Sequence, residues 1–292
     1  MERILLFGGS GILGTEVLRI LENEKIEYLS PKSSDIDIRD KDSVTNSVQS
    51  FAPTWIINCA AWTSVDGAED SFEEACELNE TAVKNIATAA ASIGCKVIHI
   101  STDYVFDGES DLPYEEESIV NPINKYGESK LMGEKALLAA LPGSFVVRTS
   151  WLYGANGKNF VKTIAAKALR NEPARVVDDQ VGSPTSSKDL AAGIVSIIRI
   201  HPEPGIYNFS NEGSCSWFEF ARAIYKHLGA SAELVVATNS ASLNLKASRP
   251  KFTLLNKEKW KAARLSKVPN WDSSLESALP EIVAEMKKLG ES

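Results

Sequence analysis

A glycine-rich turn near the N-terminus constrains the fold of this chain most. The apolar run 3–7 leads into glycines 8, 11 and 14, and apolar residues at 17, 18, 20 and 21 follow with helical spacing. This order predicts a buried strand, a tight turn and an amphipathic helix. Such a turn can hold a pyrophosphate against the N-terminus of the helix. The spacing is G-x-x-G-x-x-G, and taken alone it also fits a structural turn without a ligand.

Strand-like and helix-like segments then alternate along the first half. Apolar runs at 26–29, 55–59 and 96–101 predict strands, and helical patterns cover 43–51 and about 72–94. Alternation of this kind predicts an α/β fold, a Rossmann-type doubly wound parallel sheet with helices on both faces. Since ligands bind at the carboxyl ends of such strands, Gly8, Ala60 and Thr102 are expected to meet at one edge.

The regular alternation fades after another predicted strand at 145–150. A loop rich in Gly and Asn at 153–159 begins a second part, while a predicted helix at 187–200 and strand at 205–209 could return to the first sheet. We therefore expect a dinucleotide-binding domain at 1–150, to which 184–210 returns. A smaller C-terminal α/β substrate lobe would comprise 151–183 and 211–292.

Charge and composition exclude several classes of protein. The 292 residues are 43% hydrophobic and carry a net charge of −8, which argues against a nucleic-acid or anionic-membrane partner. No apolar run approaches the roughly 18 residues of a membrane span, and the N-terminus has no signal-peptide core. We expect a cytoplasmic enzyme.

The cysteines and histidines predict no metal site. Cysteines 59, 76, 95 and 215 form no C-x-x-C pair, and there are only three histidines. We interpret the cysteines as reduced, mostly buried thiols. His99 lies inside a strand-like run, where a hydrogen-bonded core histidine is expected, and it is assigned no role.

Tyr126 and Lys130 are spaced to share one face of a helix. Four residues separate them, so a helix places the phenol and the ammonium one turn apart. A cation at that distance is expected to pull the pKa of the tyrosine down from about 10 toward neutrality. By itself this spacing also fits a half-buried ring beside a solvated charge.

Several motifs occur together in a recognisable order. They are GGSGILG (8–14), NCAAWTSVD (58–66), STDYVFDG (101–108), YGESK (126–130), RTSWLYG (148–154), DQVGSPT (179–185), YNFSNEG (207–213) and SRP (248–250). With these motifs the chain resembles the extended short-chain dehydrogenase/reductases, and within them the dTDP-4-dehydrorhamnose reductases. The resemblance extends over essentially the whole chain.

The resemblance implies reduction of the 4-keto group of a thymidine-diphosphate 6-deoxy-4-ketohexose, giving dTDP-L-rhamnose. Tyr126 matches the general acid, and Lys130 matches its partner that also holds the nicotinamide ribose. Thr102 matches the hydroxyl that hydrogen-bonds the keto oxygen. A proton donor and a second hydrogen bond at that oxygen lower the barrier to hydride transfer.

The same resemblance implies the cofactor contacts. The matching positions are Gly8, Ser10, Gly11, Ile12, Leu13 and Gly14 at the pyrophosphate, Asp37 and Ile38 at the adenine, and Ala60 and Ala61 near the ribose. An ordinary loop or helix-capping role for Asp37 stays open. At the end of the second strand, Ser30 and Lys32 stand where an acidic residue would bind a ribose hydroxyl, which favours NADPH while leaving NADH open.

The substrate contacts follow from the resemblance as well. The matching residues are Val65, Asp103, Trp151, Asn159, Phe160, Gln180 and Arg249. Arg249 is the candidate for the diphosphate, because a guanidinium pairs bidentately with phosphate oxygens. Some members of the family form a Mg-linked dimer through acidic residues. No such cluster stands out in this sequence, so a role for Mg²⁺ and the choice between monomer and homodimer stay open.

Three other functions compete with this interpretation. An epimerase or 4,6-dehydratase would recycle its cofactor, and a dehydratase calls for an acidic pair after the threonine, where this chain has Asp103 followed by Tyr104. A reductase of another nucleotide-6-deoxysugar shares all the motifs. A non-catalytic NADP-binding regulatory subunit would tend to lose part of the Thr102, Tyr126 and Lys130 set, which is complete here.

Overall fold

The computed structural model describes residues 2–290. In chain order its first half contains β1 (Arg3–Phe7), α1 (Ile12–Asn23), β2 (Glu27–Leu29), α2 (Lys41–Phe51), β3 (Trp55–Asn58), α3 (Val65–Asp70), α4 (Phe72–Cys76), a π-helical turn (Glu77–Thr81), α5 (Ala82–Ile93), β4 (Lys96–Thr102), a 3-10 turn (Asp103–Val105), α6 (Lys125–Ala140) and β5 (Phe145–Thr149). The second half contains β6 (Leu152–Tyr153), α7 (Phe160–Leu169), β7 (Ala174–Val177), β8 (Val181–Gly182), β9 (Thr185–Ser186), α8 (Ser187–Ile200), β10 (Gly205–Asn208), β11 (Cys215–Ser216), α9 (Trp217–His227), a 3-10 turn (Ala232–Leu234), β12 (Val235–Thr238), a 3-10 turn (Ser240–Ser242), α10 (Glu258–Ala262) and α11 (Trp271–Leu289).

Six strands form the central sheet in the order β10-β5-β4-β3-β1-β2. Every neighbouring pair is parallel. The sheet confirms the predicted Rossmann-type doubly wound architecture. Strand β10 pairs with β5, with Gly205 opposite Phe145, so the chain returns to the first sheet after leaving it. The division of the whole chain into a cofactor domain and a substrate lobe stays a prediction.

Alternate strand residues supply two hydrophobic cores, one on each face of the sheet. Leu6 and Ile57 pack with residues of α1 and α8 on one face. Leu5 and Ile56 pack with residues of α2, α5 and α6 on the other. Because both faces are covered, these strands are apolar runs without polar alternation.

A third core lies under the second half of the chain. It joins residues of α7, α9 and α11, among them Ile164, Phe220 and Ile282. Strands β7 and β12 pair in parallel beside it. This core supports the aromatic side chains that approach the carboxyl edge of the central sheet.

The helix predicted over 72–94 is present from Phe72 to Ile93, but its α-helical hydrogen bonding is interrupted. A π-helical turn separates α4 from α5 and carries Asn79, which is fully buried. The Asn79 amide donates to Ser129 Oγ at 2.9 Å and accepts from the backbone N–H of Trp62 at 2.9 Å. The extra residue in the turn directs this side chain inward. Long-range hydrogen bonds, which spacing does not reveal, therefore explain the interruption.

Across residues 2–290, no helix combines the length and the apolar character that crossing a membrane requires.

Candidate active site

A cleft of about 1460 Å³ opens at the carboxyl edge of the central sheet. Its wall includes Gly8, Ala60 and Thr102, at the ends of β1, β3 and β4. Residues after β5 and from α7 and α9 close the opposite side. The topology therefore brings together the three strand ends that the sequence predicted to meet.

The glycine turn is tight because backbone atoms crowd it. Gly8 has a φ of +83°, and a Cβ there would lie 2.6 Å from the backbone nitrogen of Ala60. A Cβ on Gly14 would lie 2.1 Å from the carbonyl oxygen of Gly8. Gly11 precedes α1, and residues of the first helical turn, whose N–H groups have no partner within the helix, line the cleft. This arrangement fits an anion such as a pyrophosphate. The predicted turn residues all line the cleft: Gly8, Ser10, Gly11, Ile12, Leu13 and Gly14.

The segment after β2 forms one end of the cleft. Ser30, Lys32, Asp37 and Ile38 all line it. Arg39 binds Asp37 bidentately, with Nε to Oδ1 at 3.0 Å and Nη2 to Oδ2 at 2.8 Å. Hydrogen bonds from Arg39 hold the pKa of the Asp37 carboxyl below its usual value. Arg39 is thus already paired. Lys32 makes no ion pair with any carboxylate of the described chain, so its ammonium is the free cation at this end.

Local packing at the start of α6 brings Tyr126 to Thr102. Asn124 caps the helix by accepting from the backbone N–H of Gly127 at 2.8 Å. A Cβ on Gly127 would lie 2.1 Å from the carbonyl oxygen of Tyr104, so only glycine lets the helix approach the loop after β4. The Thr102 side chain lies close enough to the Tyr126 phenol to lower its pKa. Both residues line the cleft.

The protonation of Tyr126 corrects the sequence-based expectation. Burial raises the pKa of Tyr126 to about 12, and the hydrogen bond with Thr102 offsets this only in part. The amino group of Lys130 instead donates to the carbonyl oxygen of Ile100, at 2.7 Å. Burial lowers the pKa of Lys130 to about 8. The spacing of the two residues is helical as predicted, but in this state Tyr126 keeps its proton and is suited to donate it.

Asp103 lies directly behind the hydroxyl pair. Its side chain is buried, and its Oδ1 accepts from the Thr102 hydroxyl at 3.0 Å. Its Oδ2 has no hydrogen-bond partner in the described part of the chain. Burial raises the pKa of Asp103 to about 7. The group also lines the cleft, which places it near any ligand that contacts Thr102.

Aromatic side chains form the far wall. Trp151 has a φ of +48°, a conformation that bulky residues rarely adopt. Its indole stacks on that of Trp217 with ring centroids 3.7 Å apart. The ring of Phe160 packs against that of Trp217, with ring centroids 4.5 Å apart. Asn159 caps α7 and donates to the carbonyl oxygen of Gly154 at 2.9 Å. Trp151, Asn159 and Phe160 line the cleft, and their contacts with a substrate stay predictions.

The other three predicted substrate residues lie outside the cleft wall. Val65 begins α3, and Gln180 donates to Ser240 Oγ at 2.7 Å. Arg249 is paired with Asp66, with Nη2 to Oδ2 at 2.7 Å. Their contacts with a substrate stay predictions.

Sequence reasoning missed part of the aromatic wall. Trp217 and Phe220 line the cleft from α9, and Ser150 lines it after β5. Ser216 and Glu219 form a capping box at the start of α9, so the helix start could have been found from the S-x-x-E spacing. Nothing in that spacing shows that the helix faces this cleft.

The four cysteines are free. Burial raises the pKa of Cys59 and of Cys95 to about 12. In the described range 2–290, no group of three or more His, Cys, Asp and Glu side chains could hold a metal ion.

Comparison with known proteins adds independent findings. Residues 1–284 match the sequence model of a family described as the RmlD substrate binding domain. A dTDP-4-keto-6-deoxy-D-glucose reductase of Streptomyces niveus is 35% identical over 285 residues, covering 97% of this chain and 99% of that protein. A dTDP-4-dehydrorhamnose reductase of Mycolicibacterium smegmatis is 38% identical, covering 97% of this chain and 86% of that protein.

A solved structure agrees over nearly the whole fold. The dTDP-4-dehydrorhamnose reductase of Bacillus anthracis, in complex with NADP, superposes with a TM-score of 0.92 at 36% identity. The match covers 96% of this chain and 99% of that one.

Proposed function

The chain belongs to the RmlD substrate binding domain family, and on that premise we propose that it reduces a dTDP-linked 4-keto sugar with NADPH. The substrate is dTDP-4-dehydro-6-deoxy-L-mannose and the product is dTDP-L-rhamnose. The names of the relatives and the NADP complex of the Bacillus anthracis structure support this function. The sequence-based expectation of a cytoplasmic monomer or homodimer is kept as part of the proposal.

The observation that carries the proposal is the hydroxyl pair of Tyr126 and Thr102 beside the glycine turn. When bound, the nicotinamide supplies a hydride to the keto carbon, and negative charge develops on the keto oxygen. Tyr126 holds its proton throughout the neutral pH range and donates it to that oxygen. The Thr102 hydroxyl, directed to Asp103 in this state, turns to the same oxygen as a second donor.

The remaining cleft residues hold the cofactor. The first turn of α1 and the glycine turn receive the pyrophosphate, and Lys130 holds the nicotinamide ribose. Asp37 and Ile38 contact the adenine, and Ala60 and Ala61 contact the ribose. That all four residues line the cleft supports this assignment. Lys32 and Ser30 receive the 2′-phosphate of NADPH, which is supported by the lack of any competing ion pair at Lys32 among the residues described.

The sugar nucleotide occupies the side of the cleft formed by Trp151, Asn159 and Phe160. Its diphosphate extends toward Arg249, which must leave or share Asp66 to contact it. Val65 lies next to Asp66 at the start of α3. We include Gln180 as a contact of the same substrate, on the family resemblance alone.

The site also bears on the competing functions. A dehydratase calls for an acidic pair after the threonine, but Tyr104 follows Asp103 and its ring packs edge-on against Tyr126 at 5.9 Å. A regulatory subunit has no need for the catalytic groups, yet Thr102, Tyr126 and Lys130 all line one cleft. Both observations favour a catalytic reductase.

A second substrate is favoured by one specific finding. The Streptomyces niveus relative is named a dTDP-4-keto-6-deoxy-D-glucose reductase and matches over nearly its full length. The two ketones differ in ring stereochemistry. The catalytic hydroxyl groups do not distinguish them, because they act on the keto oxygen that both sugars share. The aromatic wall of the cleft must make that distinction.

A comparison of two substrates in separate reactions tests the proposal. The purified protein is incubated with NADPH and freshly generated dTDP-4-keto-6-deoxy-L-lyxo-hexose, and the product is identified by NMR. A parallel reaction contains dTDP-4-keto-6-deoxy-D-glucose alone. Formation of dTDP-L-rhamnose with the higher kcat/KM supports the proposal. A higher kcat/KM for the D-sugar would make that sugar the substrate instead. If neither ketone causes NADPH to be oxidised, the proposed function is contradicted.

A further inference from the structure

A buried hydrogen-bond chain runs from the cofactor turn to Lys130. The backbone N–H of Ala60 donates to Asn58 Oδ1 at 3.1 Å. Asn58 Nδ2 lies 3.2 Å from His99 Nδ1, and His99 Nε2 lies 3.2 Å from Lys130 Nζ. Lys130 Nζ also donates to the carbonyl oxygen of Ile100 at 2.7 Å. Asn58, His99 and Lys130 are each at most 1% exposed, so water does not compete along this chain.

The backbone N–H of Ala60 sets the donor-to-acceptor direction of this hydrogen-bond chain. A backbone N–H is only a donor, so Asn58 must turn its carbonyl oxygen to Ala60 and its NH₂ to His99. His99 Nδ1 is then an acceptor, and a neutral ring carries its proton on Nε2. An Nε2–H facing Lys130 can form a hydrogen bond only if the amine offers its lone pair. An ammonium at that position would set two donors against each other.

Building on the proposed role of Lys130 in holding the cofactor, we propose that His99 is a positioning residue that favours the uncharged amine of Lys130 in the cofactor-free protein. The two titrating groups agree with this direction. Burial lowers the pKa of His99 well below its usual value, so the ring is neutral. Burial also lowers the pKa of Lys130 to about 8.

Three other titratable groups face Lys130, and Glu134 among them opposes the effect of burial by raising the pKa of Lys130. Glu134, one turn further along α6, is bound bidentately by Arg148, with Nη2 to Oε2 at 2.7 Å and Nε to Oε1 at 2.9 Å. Cys59, after β3, is a neutral thiol because burial raises its pKa to about 12. Tyr126, one turn earlier on α6, is a neutral phenol for the same reason. The pairing with Arg148 thus weakens, without removing, the attraction of Glu134 for a charged Lys130.

The chain has a consequence for cofactor binding. A lysine held uncharged takes up a proton when it turns to the ribose hydroxyl groups as an ammonium. Binding of the cofactor and protonation of Lys130 are then coupled through His99. Lys130 gains its positive charge when the cofactor binds.

Nitrogen NMR of the cofactor-free protein tests the direction of the chain. The protein has only three histidines, and the His99→Asn variant identifies the signals of His99. At pH 8.5 we expect the neutral ring with its proton on Nε2. A proton on Nδ1, or a charged imidazolium, overturns the proposal.

An isosteric substitution of Asn58 reverses the donor and acceptor roles along the hydrogen-bond chain. The Asn58→Asp carboxylate still accepts from Ala60 but also accepts from His99, which moves the ring proton to Nδ1. Nε2 then accepts from an ammonium, so the titration midpoint of Lys130, followed by ¹³Cε NMR and assigned with Lys130→Met, should rise by at least about one pH unit. The Asn85→Asp variant, a buried asparagine on α5, is the matched control and should leave the midpoint in place.

The same substitution in a His99→Asn background separates the relay from simple charge attraction. If His99 transmits the effect, at least half of the shift is lost in the double variant. A shift of full size without His99 overturns the proposal.

Calorimetry tests whether the hydrogen-bond chain affects proton uptake when the cofactor binds. NADH, which lacks the 2′-phosphate, is titrated at pH 8.5 in buffers of different ionisation enthalpy, and we expect uptake of about one half to one proton in the parent. His99→Asn should reduce it to the part that burial of Lys130 alone produces, while His99→Gln, which can place an amide N–H near Lys130, should restore part of the difference. Equal uptake in all three overturns the proposal. Failure of the parent to reduce either ketone bears on the proposed function alone, since the NMR measurements need no substrate.

Discussion

The indole of Trp151 lies stacked on the indole of Trp217, with ring centroids 3.7 Å apart and planes inclined by 11°. The first residue follows β5 and the second begins α9, so the pair joins the central sheet to the core of the second half. Gly182 makes room for it, because a Cβ there would lie 2.8 Å from the Trp151 ring. The stack therefore holds Trp151 in its unusual backbone conformation against the cleft.

Removing the stack should weaken sugar-nucleotide binding. Trp217→Leu deletes the aromatic partner, and we expect KM for the sugar nucleotide to rise about tenfold. Steady-state kinetics measure this, and fluorescence titration should show an unchanged affinity for NADPH. Trp217→Phe, which keeps an aromatic ring, is the control and should lie between the parent and the leucine variant. An unchanged KM in Trp217→Leu would exclude a role for the pair in substrate binding.

Tyr126→Phe should lower the turnover number about a hundredfold or more, because it removes the proton donor. NADPH binding should survive, since the ring remains in place. Tyr104→Phe removes a hydroxyl from the neighbouring ring and serves as the control, with turnover close to that of the parent. Stopped-flow kinetics compare the three proteins, and near-normal turnover in Tyr126→Phe would remove this residue from the mechanism.

Lys32→Glu should change the choice of cofactor. A charge-assisted hydrogen bond to the 2′-phosphate is replaced by repulsion, so the ratio of kcat/KM values should shift toward NADH by at least about tenfold. KM for the sugar nucleotide should not change. Lys84→Glu, on α5, makes the same charge change elsewhere and should keep the parent ratio. An unaltered ratio in Lys32→Glu, or a parent that already prefers NADH, contradicts the assignment.

Arg249 can be tested against its own ion pair. Arg249→Ala should raise KM for the sugar nucleotide about tenfold if the guanidinium binds the diphosphate. Asp66→Asn breaks the same pair but keeps the guanidinium, so KM should stay or fall. If both variants raise KM equally, Arg249 acts by holding the loop to α3, and the diphosphate assignment is wrong.

Asp103 should make stability depend on pH. Its pKa is raised by burial from 3.8 to about 7, so between these values the folded state binds more protons than the unfolded state. Stability therefore falls as pH rises through this window and levels off above about 7. Asp103→Asn lacks this loss and should gain about 1 to 3 kcal/mol relative to the parent between pH 4 and pH 8.

Thermal unfolding of the ligand-free proteins across that range measures the effect. The exposed Asp111→Asn variant should follow the parent at every pH. A parallel pH dependence in Asp103→Asn and the parent would show that Asp103 is not the titrating group.

Much of this protein follows from its sequence. Apolar runs such as 3–7 and 55–59 predict strands buried on both faces, and the spacing of Tyr126 and Lys130 predicts a shared helix face. These are local properties, because side-chain periodicity and turn chemistry depend on residues close in the chain. The motifs that carry the family resemblance are equally local, and the family model confirms the resemblance over residues 1–284.

Tertiary structure decided the protonation and the partners of the site. Spacing predicted a lowered pKa for Tyr126, but burial by distant segments raises it and turns Lys130 toward His99 and Ile100. The stacking of Trp217 on Trp151 is likewise absent from any local pattern. Desolvation and packing depend on which segments surround a group, and that becomes defined only when residues far apart in the chain are brought together.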